Sequence, residues 1–207
     1  HSGGKRKPLS SLAGADVLCY TEAHCKMDGM RGSVMIRKAT LDDLDAIESA
    51  YNEHFQYEME HGAFTVFQKG VYPTRNDAQA AIQSGTLYVY EENCEIAGSI
   101  IVDHLQPAPY TDIPWSASLR QQEVMVIHLL MVRPSKSGKG IASSLIQYTF
   151  QLAKSHSCRA VRLDTGAQNT PAVSLYQKLG FHIVASSAMK VGNVIEHSRH
   201  LFLERQL

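Results

Sequence analysis

The pattern of apolar and polar positions changes at residue 34. Residues 1–33 carry no sustained apolar periodicity and open with a basic stretch rich in small residues, so we expect a leader or an extension, native or not. Residues 34–207 alternate strand-like and helix-like patterns, beginning with the apolar run at Val34. Their length and the 44% hydrophobic content of the chain suffice for one domain with one sizeable core.

Two helices and a hairpin are predicted in the first part of this domain. Thr40 is expected to cap the first helix, because acidic residues follow it where they complement the helix dipole. Residues 51–72, rich in aromatic and acidic side chains, should continue as helix and then become irregular. Arg75–Gln83 reads as a second helix. The β-rich runs at residues 86–90 and 96–102, joined by a short polar connection, predict an antiparallel hairpin.

A central strand and a long excursion follow. Residues 106–122 are polar and punctuated by prolines, and they contain the single tryptophan, Trp115, so we expect them to cover a surface or line an entrance. Val124–Val132 is a nearly unbroken apolar run, as expected of a central strand that is buried on both faces. Helix and strand patterns alternate from there to the end of the chain.

A glycine turn joins the central strand to the next helix. The strand is followed by Arg133 and Pro134, and the chain turns through Gly138, Lys139 and Gly140 into an apolar-periodic helix. Glycines allow a tight turn and a close backbone approach, and the free N–H groups of a helix start attract anions. The turn therefore predicts a phosphate site.

Two nucleotide motifs are excluded at this turn. A P-loop requires Ser or Thr after the lysine, whereas Gly140 follows Lys139. The dinucleotide fingerprint requires a third glycine where Ser143 stands, and the strand that precedes the turn arrives late in the chain. A nucleotide-dependent phosphotransferase is accordingly disfavoured.

The turn instead resembles motif A of the GCN5-related N-acetyltransferase (GNAT) family, Gln/Arg-x-x-Gly-x-Gly/Ala. Residues 135–140 match it, except that Ser135 replaces the usual Gln or Arg, and Lys136 or Lys139 is expected to offset the lost charge. Residues 169–181 read Asn-Thr-Pro-Ala-Val-Ser-Leu-Tyr-Gln-Lys-Leu-Gly-Phe, which resembles the second signature of the family, N-x-x-A-x-x-L-Y-x-x-x-G-F. One strand, residues 160–164, separates the two motifs, and the resemblance extends over roughly residues 36–184.

The resemblance implies an α/β fold of the GNAT type, a mixed central sheet with splayed central strands flanked by helices. It implies acetyl-CoA (coenzyme A) as cofactor and an N-acetyltransferase that transfers the acetyl group to a primary amine of a small molecule or protein by direct attack. A backbone N–H near Leu129 or Leu130 would stabilise the oxyanion. The implied coenzyme contacts lie on the strand end, the turn and the second motif: Leu130, Met131, Val132, Ser135, Lys136, Ser137, Gly138, Lys139, Gly140, Ile141, Ala142, Asn169 and Tyr176.

Tyr176 is the expected general acid. It lies seven positions after Asn169, two helical turns along a similar face, and in this family that hydroxyl points at the coenzyme sulfur. Glu123 and His128 are the candidate general bases, with Glu123 preferred. In an ideal strand these two side chains would face opposite sides unless a bulge intervenes.

The acceptor site is expected between the aromatic, acidic stretch after residue 51 and the excursion around Trp115, with four candidate residues: Phe55, Glu58, Tyr72 and Trp115. The alternative for this stretch is an amphipathic helix whose aromatics are core residues. For the whole chain, the alternative to an enzyme is a catalytically silent acyl-CoA-binding sensor module.

Composition limits partners and location. The 20 basic residues cancel the 20 acidic residues, so nothing calls for a nucleic acid or a membrane surface as partner. No apolar run approaches the roughly 20 residues that span a bilayer, and we expect a cytoplasmic protein. Its partner is expected to be a small-molecule or peptide amine, and a homodimer stays open. The four cysteines are scattered and read as free thiols. Cys19, His24 and Cys25 lack a matching downstream pair, so no metal site is expected.

Overall fold

The computed structural model describes residues 33–207. Residues 1–32, with nearly all of the expected leader and the group formed by Cys19, His24 and Cys25, lie outside the described residues. Seven strands form one sheet in the order β1-β2-β3-β4-β5-β7-β6. The strands are β1 (Val34–Lys38), β2 (Leu87–Glu92), β3 (Glu95–Asp103), β4 (Val124–Val132), β5 (Ala160–Gly166), β6 (His182–Val191) and β7 (Ile195–Gln206). The helices are α1 (Leu44–His61), α2 (Arg75–Gln83), α3 (Ile141–Ser155) and α4 (Thr170–Lys178).

The two middle strands diverge. All neighbouring strands pair antiparallel except β4 and β5, which are parallel. Their pairing runs only from Val124 opposite Ala160 to Ile127 opposite Leu163. Beyond that pair the described strands continue without bridging each other, so residues 128–132 of β4 and 164–166 of β5 form the two arms of a fork. The predicted mixed sheet with splayed central strands is confirmed.

A β-bulge in β4 sits at the apex of the fork. Ile101 of β3 pairs with Leu129, and the next residue of β3 pairs with Ile127, so His128 is the extra residue. A bulge changes which face the following residues occupy. Leu129 accordingly packs with the α1 and α2 side chains, whereas Leu130 packs on the opposite face, against the α3 cluster.

Capping explains where the first two helices begin. The Thr74 hydroxyl accepts the Asp77 N–H (3.3 Å), and the Asp77 carboxylate accepts the Thr74 N–H (2.7 Å), so α2 begins at Arg75 as predicted. Thr40 and Asp43 form a similar box, but it opens a 3-10 turn. The α-helix itself begins at Leu44, later than the sequence pattern predicts.

Two of the four cysteines, Cys94 and Cys158, lie in the described residues. Cys158 is a buried free thiol, whereas Cys94 is disulfide-bonded, so the free-thiol interpretation is wrong for Cys94.

In the described part of the chain, no helix is both long and apolar enough to cross a membrane. Residues 33–207 also contain no group of three or more metal-ligating side chains that could hold an ion.

Candidate active site

The glycine turn presents backbone N–H groups at the start of α3. Gly138 and Gly140 have φ angles of 77° and 79°, a region that L side chains rarely adopt, and a Cβ at either would meet no atom within 4 Å. The first helical hydrogen bond runs from the Ser144 N–H to the Gly140 carbonyl (3.0 Å). The N–H groups before Ser144 therefore have no intrahelical acceptor and border open space. This donor set fits a pyrophosphate.

The charged side chains of the turn are held by carboxylates. The Lys136 ammonium pairs with Glu95, and Lys139 lies 3.7 Å from Glu92. The Ser135 N–H donates to the Glu53 carboxylate at 2.8 Å. Lys136 and Lys139 thus lie beside the turn, but they contact acidic side chains of the β2–β3 hairpin.

The start of α4 lies on the other arm of the fork, after β5. Asn169 is its N-cap, and the Asn169 side-chain oxygen accepts the Ala172 N–H at 3.3 Å. Tyr176 is buried and its ring packs against Phe181. Burial, with the nearby Asp164 carboxylate, raises the pKa of Tyr176 well above its ordinary value. The phenol therefore holds its proton at neutral pH.

An open cleft of about 460 Å³ lies on the α2 side of the sheet and contains His128. Tyr72, Asp77, Asp103 and Leu105 are among the residues that line it. The lining contains two carboxylates and neither lysine nor arginine. The cleft therefore carries negative potential.

His128 and Asp103 form a pair at the edge of this cleft. The His128 Nε2 lies 2.7 Å from the Asp103 carboxylate oxygen, and both side chains are about one-fifth exposed (24% and 19%). Burial opposes ionisation of Asp103, but the hydrogen bond and charge of His128, the Leu105 N–H and His104 together outweigh it, and the pKa of Asp103 is lowered. A histidine oriented by a carboxylate is the arrangement in which the second ring nitrogen can accept a proton.

Asp164 begins the other arm at the apex. Ile127 and Leu163 are the last paired residues, so His128 and Asp164 are the first residues of the diverging arms and face the same side. The Tyr110 hydroxyl donates to Asp164 at 2.8 Å, and His200 Nε2 lies 3.5 Å from its other oxygen. Burial raises the pKa of Asp164 to about 6.

The structure separates the two base candidates. Glu123 lies in a 3-10 turn before β4, at the opposite end of the paired segment from the fork. Its carboxylate accepts from the Arg120 side chain at 3.0 Å and faces Arg159 at 3.8 Å. The hydrogen bonds from Arg120 lower the pKa of Glu123. The sequence-based preference for Glu123 assumed a strand position, whereas Glu123 precedes the strand and the bulge places His128 at the apex of the fork.

Of the four residues expected to bind the acceptor, only Tyr72 lines the cleft. Phe55 is buried in the core between α1 and the sheet. Glu58 is buried and accepts the backbone N–H groups of the loop after α1, at Phe64 (3.0 Å) and Thr65 (2.7 Å).

Trp115 packs elsewhere. Its ring covers the Arg162 guanidinium, whose centre lies 4.2 Å from the ring centroid, and its Nε1–H donates to the Tyr110 carbonyl at 2.8 Å. The excursion that carries it thus covers β5 and β7, one of the two roles expected from its sequence. Its link to the fork is indirect, through Tyr110.

The tip of the β6–β7 hairpin touches the cleft. Gly192 lies so close to the Tyr72 ring that an added Cβ would be 2.4 Å from a ring carbon. The hairpin follows β5, whereas Tyr72 lies in the loop between α1 and α2. The tip of the β6–β7 hairpin and the loop between α1 and α2 therefore meet at the cleft.

A forked mixed sheet, a glycine turn opening a helix beside one arm, and a buried tyrosine beside the other define a class of proteins that bind an acyl coenzyme A between two strands. The acetyltransferase (GNAT) family model matches residues 44–181, more than half of the chain. The chain belongs to this family. The family resemblance and the acetyl-CoA cofactor inferred from the sequence are confirmed.

Known relatives agree with this assignment. An uncharacterized N-acetyltransferase of Methanocaldococcus jannaschii is 29% identical over 152 residues, which span 70% of this chain and 59% of the relative. A streptothricin acetyltransferase of Escherichia coli is 27% identical over 129 residues, 62% of this chain and 67% of the relative. A Salmonella typhimurium protein solved with its cofactor acetyl-CoA has a TM-score of 0.60 at 20% identity, and the match covers 84% of this chain and 94% of that one.

Several residues of the site escaped sequence reasoning. Asp103 and Asp164 each follow apolar strand residues at the point where the strands leave the paired part of the sheet. A polar residue that ends an apolar run is a usable signal for both. Tyr110, His197 and His200 had no such signal, because only the folding of the excursion and of β7 against β5 brings Tyr110 and His200 to Asp164, and His197 to His200.

Proposed function

We propose that this protein is an acetyl-CoA-dependent N-acetyltransferase that acetylates a small cationic amine. The observation that carries the proposal is the fork with its glycine turn on one arm and an acidic cleft at its apex. Bound acetyl-CoA would supply the thioester whose acetyl group is transferred. The cofactor contacts would come from the N–H groups of the turn, from residues 130–132 of β4, and from the side-chain amide of Asn169.

Tyr176 is proposed to hold the proton needed by the departing thiolate. Its raised pKa keeps the phenol protonated, and its burial excludes water from that side of the fork. Tyr176 Oη would give its proton to the sulfur as the thioester bond breaks.

His128 is proposed to take the proton of the acceptor amine. It lines the cleft, and Asp103 fixes one of its ring nitrogens. Glu123 is bound by arginines away from the fork, and we therefore propose His128 in the role for which the sequence preferred Glu123. Leu129 or Leu130 would provide the oxyanion N–H, since both follow the apex directly.

The cleft supports a positively charged acceptor. Asp77 and Asp103 line it without a lysine or arginine, and Tyr72 offers an aromatic face to a cation. Streptothricin acetyltransferase, a relative named for a small-molecule substrate, makes a small acceptor the better expectation than a peptide. Phe55, Glu58 and Trp115 would support this acceptor site indirectly, by holding α1, its loop and Tyr110.

The test is release of free coenzyme A thiol from acetyl-CoA in the presence of matched amines. A diamine, a neutral-chain monoamine of equal length and an ω-amino acid of equal length separate charge from size. We expect the diamine to be acetylated with the highest kcat/KM. Binding of acetyl-CoA without thiol release for any amine would instead support the sensor module.

Location and assembly belong to the same proposal. A cytoplasmic site follows from the expected use of acetyl-CoA and from the sequence. A homodimer is proposed on the family resemblance alone, and sedimentation of the purified chain would test it.

A further inference from the structure

Asp164 differs from several other carboxylates that lie wholly or partly inside the fold. Glu204 is paired with Arg162 at 2.9 Å, Asp43 with Arg37 at 2.7 Å, and Glu53 with Arg133 at 2.9 Å. In the described residues, Asp164 contacts no lysine or arginine. A buried carboxylate without a cation is costly unless it ionises reluctantly. Such groups are candidates for a functional role.

A chain of imidazoles leads from Asp164 towards the surface. His200 on β7 is buried, with Nε2 3.5 Å from the Asp164 oxygen, and its Nδ1 lies 2.8 Å from Nδ1 of His197. His197 is partly exposed. Burial, followed by the influence of His197, lowers the pKa of His200 to about 4. His200 is therefore neutral, and one proton lies between the two Nδ1 atoms.

A bound acceptor changes the access of His128 to water. His128 lines the cleft that we propose for the acceptor, so an amine seated there stands between His128 and the solvent of the cleft. The transfer of an acetyl group to an ammonium releases one proton in every turnover. That proton needs a route that the acceptor does not block.

We propose that Asp164, His200 and His197 form this route and carry the amine proton from the apex of the fork to the surface of the β6–β7 hairpin. The inference rests on the proposed function. The ammonium N–H bond breaks and its proton binds His128, which passes it to Asp164, directly or through one water. The Asp164 carboxyl gives a proton to His200 Nε2 while the His200 Nδ1 proton moves to His197 Nδ1. The His197 Nε2 proton leaves to solvent. Once the product has left the cleft, the shift runs in reverse: His197 Nε2 takes a proton from solvent, both imidazoles regain their starting tautomers, and the proton returned to Asp164 leaves through His128 and the reopened cleft.

The groups that face Asp164 are compatible with this role. They come from β4, the α1–α2 loop, the excursion, α4 and β7: His128, Tyr72, Tyr110, Tyr176 and His200. The three tyrosines keep their protons, since burial raises the pKa of each. Asp164 is then the carboxylate at the apex whose pKa, raised to about 6 by burial, lies near neutral.

The test compares His197→Ala with His182→Ala. His182 is an exposed histidine at the start of β6 that contacts Ser116, so it controls for the loss of a hairpin imidazole. We expect His197→Ala to lower kcat about tenfold or more, with KM for acetyl-CoA unchanged. Imidazole added to the assay buffer should restore the rate, whereas His182→Ala should behave as wild type.

Buffer rescue separates proton transfer from a structural role. Equal kcat values in the two variants would overturn the proposal, and so would a loss of kcat that imidazole fails to restore while the melting temperature is unchanged. His200→Gln is a second test. It retains a polar side chain but removes the buried imidazole, so kcat should fall and imidazole in the buffer should not restore it. In the ligand-free protein, ¹⁵N spectra should record a neutral His200 at pH 6. A charged His200 at that pH would contradict the proposed proton route. Failure of the wild-type protein to release thiol with any amine would instead refute the proposed function.

Discussion

The Tyr176 side chain is buried, with its ring against Phe181 and its hydroxyl under the influence of the Asp164 carboxylate. We expect Tyr176→Phe to lower kcat by about 10²-fold, the usual contribution of a general acid. Affinity for acetyl-CoA and the melting temperature should hardly change, because the ring and its packing against Phe181 remain. Steady-state kinetics with isothermal titration of coenzyme A would measure both.

Tyr148→Phe is the matched control for that substitution. Tyr148 lies on α3 beside Tyr88, with ring centroids 5.3 Å apart, and loses the same hydroxyl away from α4. A Tyr176→Phe enzyme that keeps more than about half of wild-type kcat, with chemistry rate-limiting, would reduce Tyr176 to a packing residue. A thiolate can leave unaided more readily than an alkoxide, so this outcome is the physical alternative.

Asp164 should make folding stability depend on pH in an unusual direction. Its folded pKa, raised to about 6 by burial, lies above the unfolded value near 4. Between those values the folded state binds more protons, so stability falls as pH rises. We expect Asp164→Asn to remove about 2 to 3 kcal/mol of this dependence and to unfold at a higher temperature than wild type above pH 7.

Thermal unfolding at pH 4 and pH 7.5 measures the effect, with Asp112→Asn as an exposed control. A wild-type protein that gains stability over this range, relative to Asp164→Asn, would contradict the assignment. The same variant should lose activity. A gain in stability with a loss of activity is typical of residues that a site holds in an unfavourable environment.

At the scale of elements, the turn before α3 gives the sharpest test of coenzyme binding. Gly140→Asp places a side chain and a negative charge where the N–H groups face open space, and we expect it to abolish coenzyme A binding in titration calorimetry. Gly70→Asp is the control. Gly70 also has a positive φ, 77°, and a Cβ there would likewise meet nothing within 4 Å, so both variants carry similar backbone strain. Equal loss of affinity in both would indicate damaged folding.

The elements themselves were largely predictable. Arg75–Gln83 and Val124–Val132 have the bounds that capping signals and an apolar run predicted. The bulge at His128 could not be predicted, because β4 reads as one nearly uninterrupted apolar run and the extra residue is defined only by the pairing of β4 with β3. That single residue decides which base candidate faces the cleft.

The acceptor site was harder to predict for the same reason. Phe55 and Glu58 belong to an aromatic, acidic stretch that suited either a core or a pocket, and tertiary packing buries both side chains. Tyr72 lies in the loop after them and reaches the cleft. Sequence identifies side chains suited to binding, but the direction of each depends on neighbours distant in the chain.

At the scale of the whole molecule, coenzyme binding should stabilise the fold, because the N–H groups of the turn are arranged only when β4 and α3 are formed. We expect acetyl-CoA at about 100 times its Kd to add roughly 2.7 kcal/mol to the free energy of unfolding. Thermal shift with acetyl-CoA and with ATP would measure this. Stabilisation by ATP alone would contradict the cofactor assignment.

The contact between Gly192 and the Tyr72 ring joins the β6–β7 hairpin to the wall of the cleft. The β4–β5 pairing ends at Ile127 and Leu163, and Tyr72 lines the cleft beside that point. We expect the contact to narrow the way into the cleft, so that a compact amine is accepted more readily than the loop of a folded protein. Gly192→Ala would push the hairpin tip and the Tyr72 ring apart, since the added Cβ and the ring cannot occupy the same space. Bulky amines that the wild-type enzyme does not acetylate should then become substrates. Release of coenzyme A thiol with such amines, compared between the variant and the wild type, would measure this widened size selectivity.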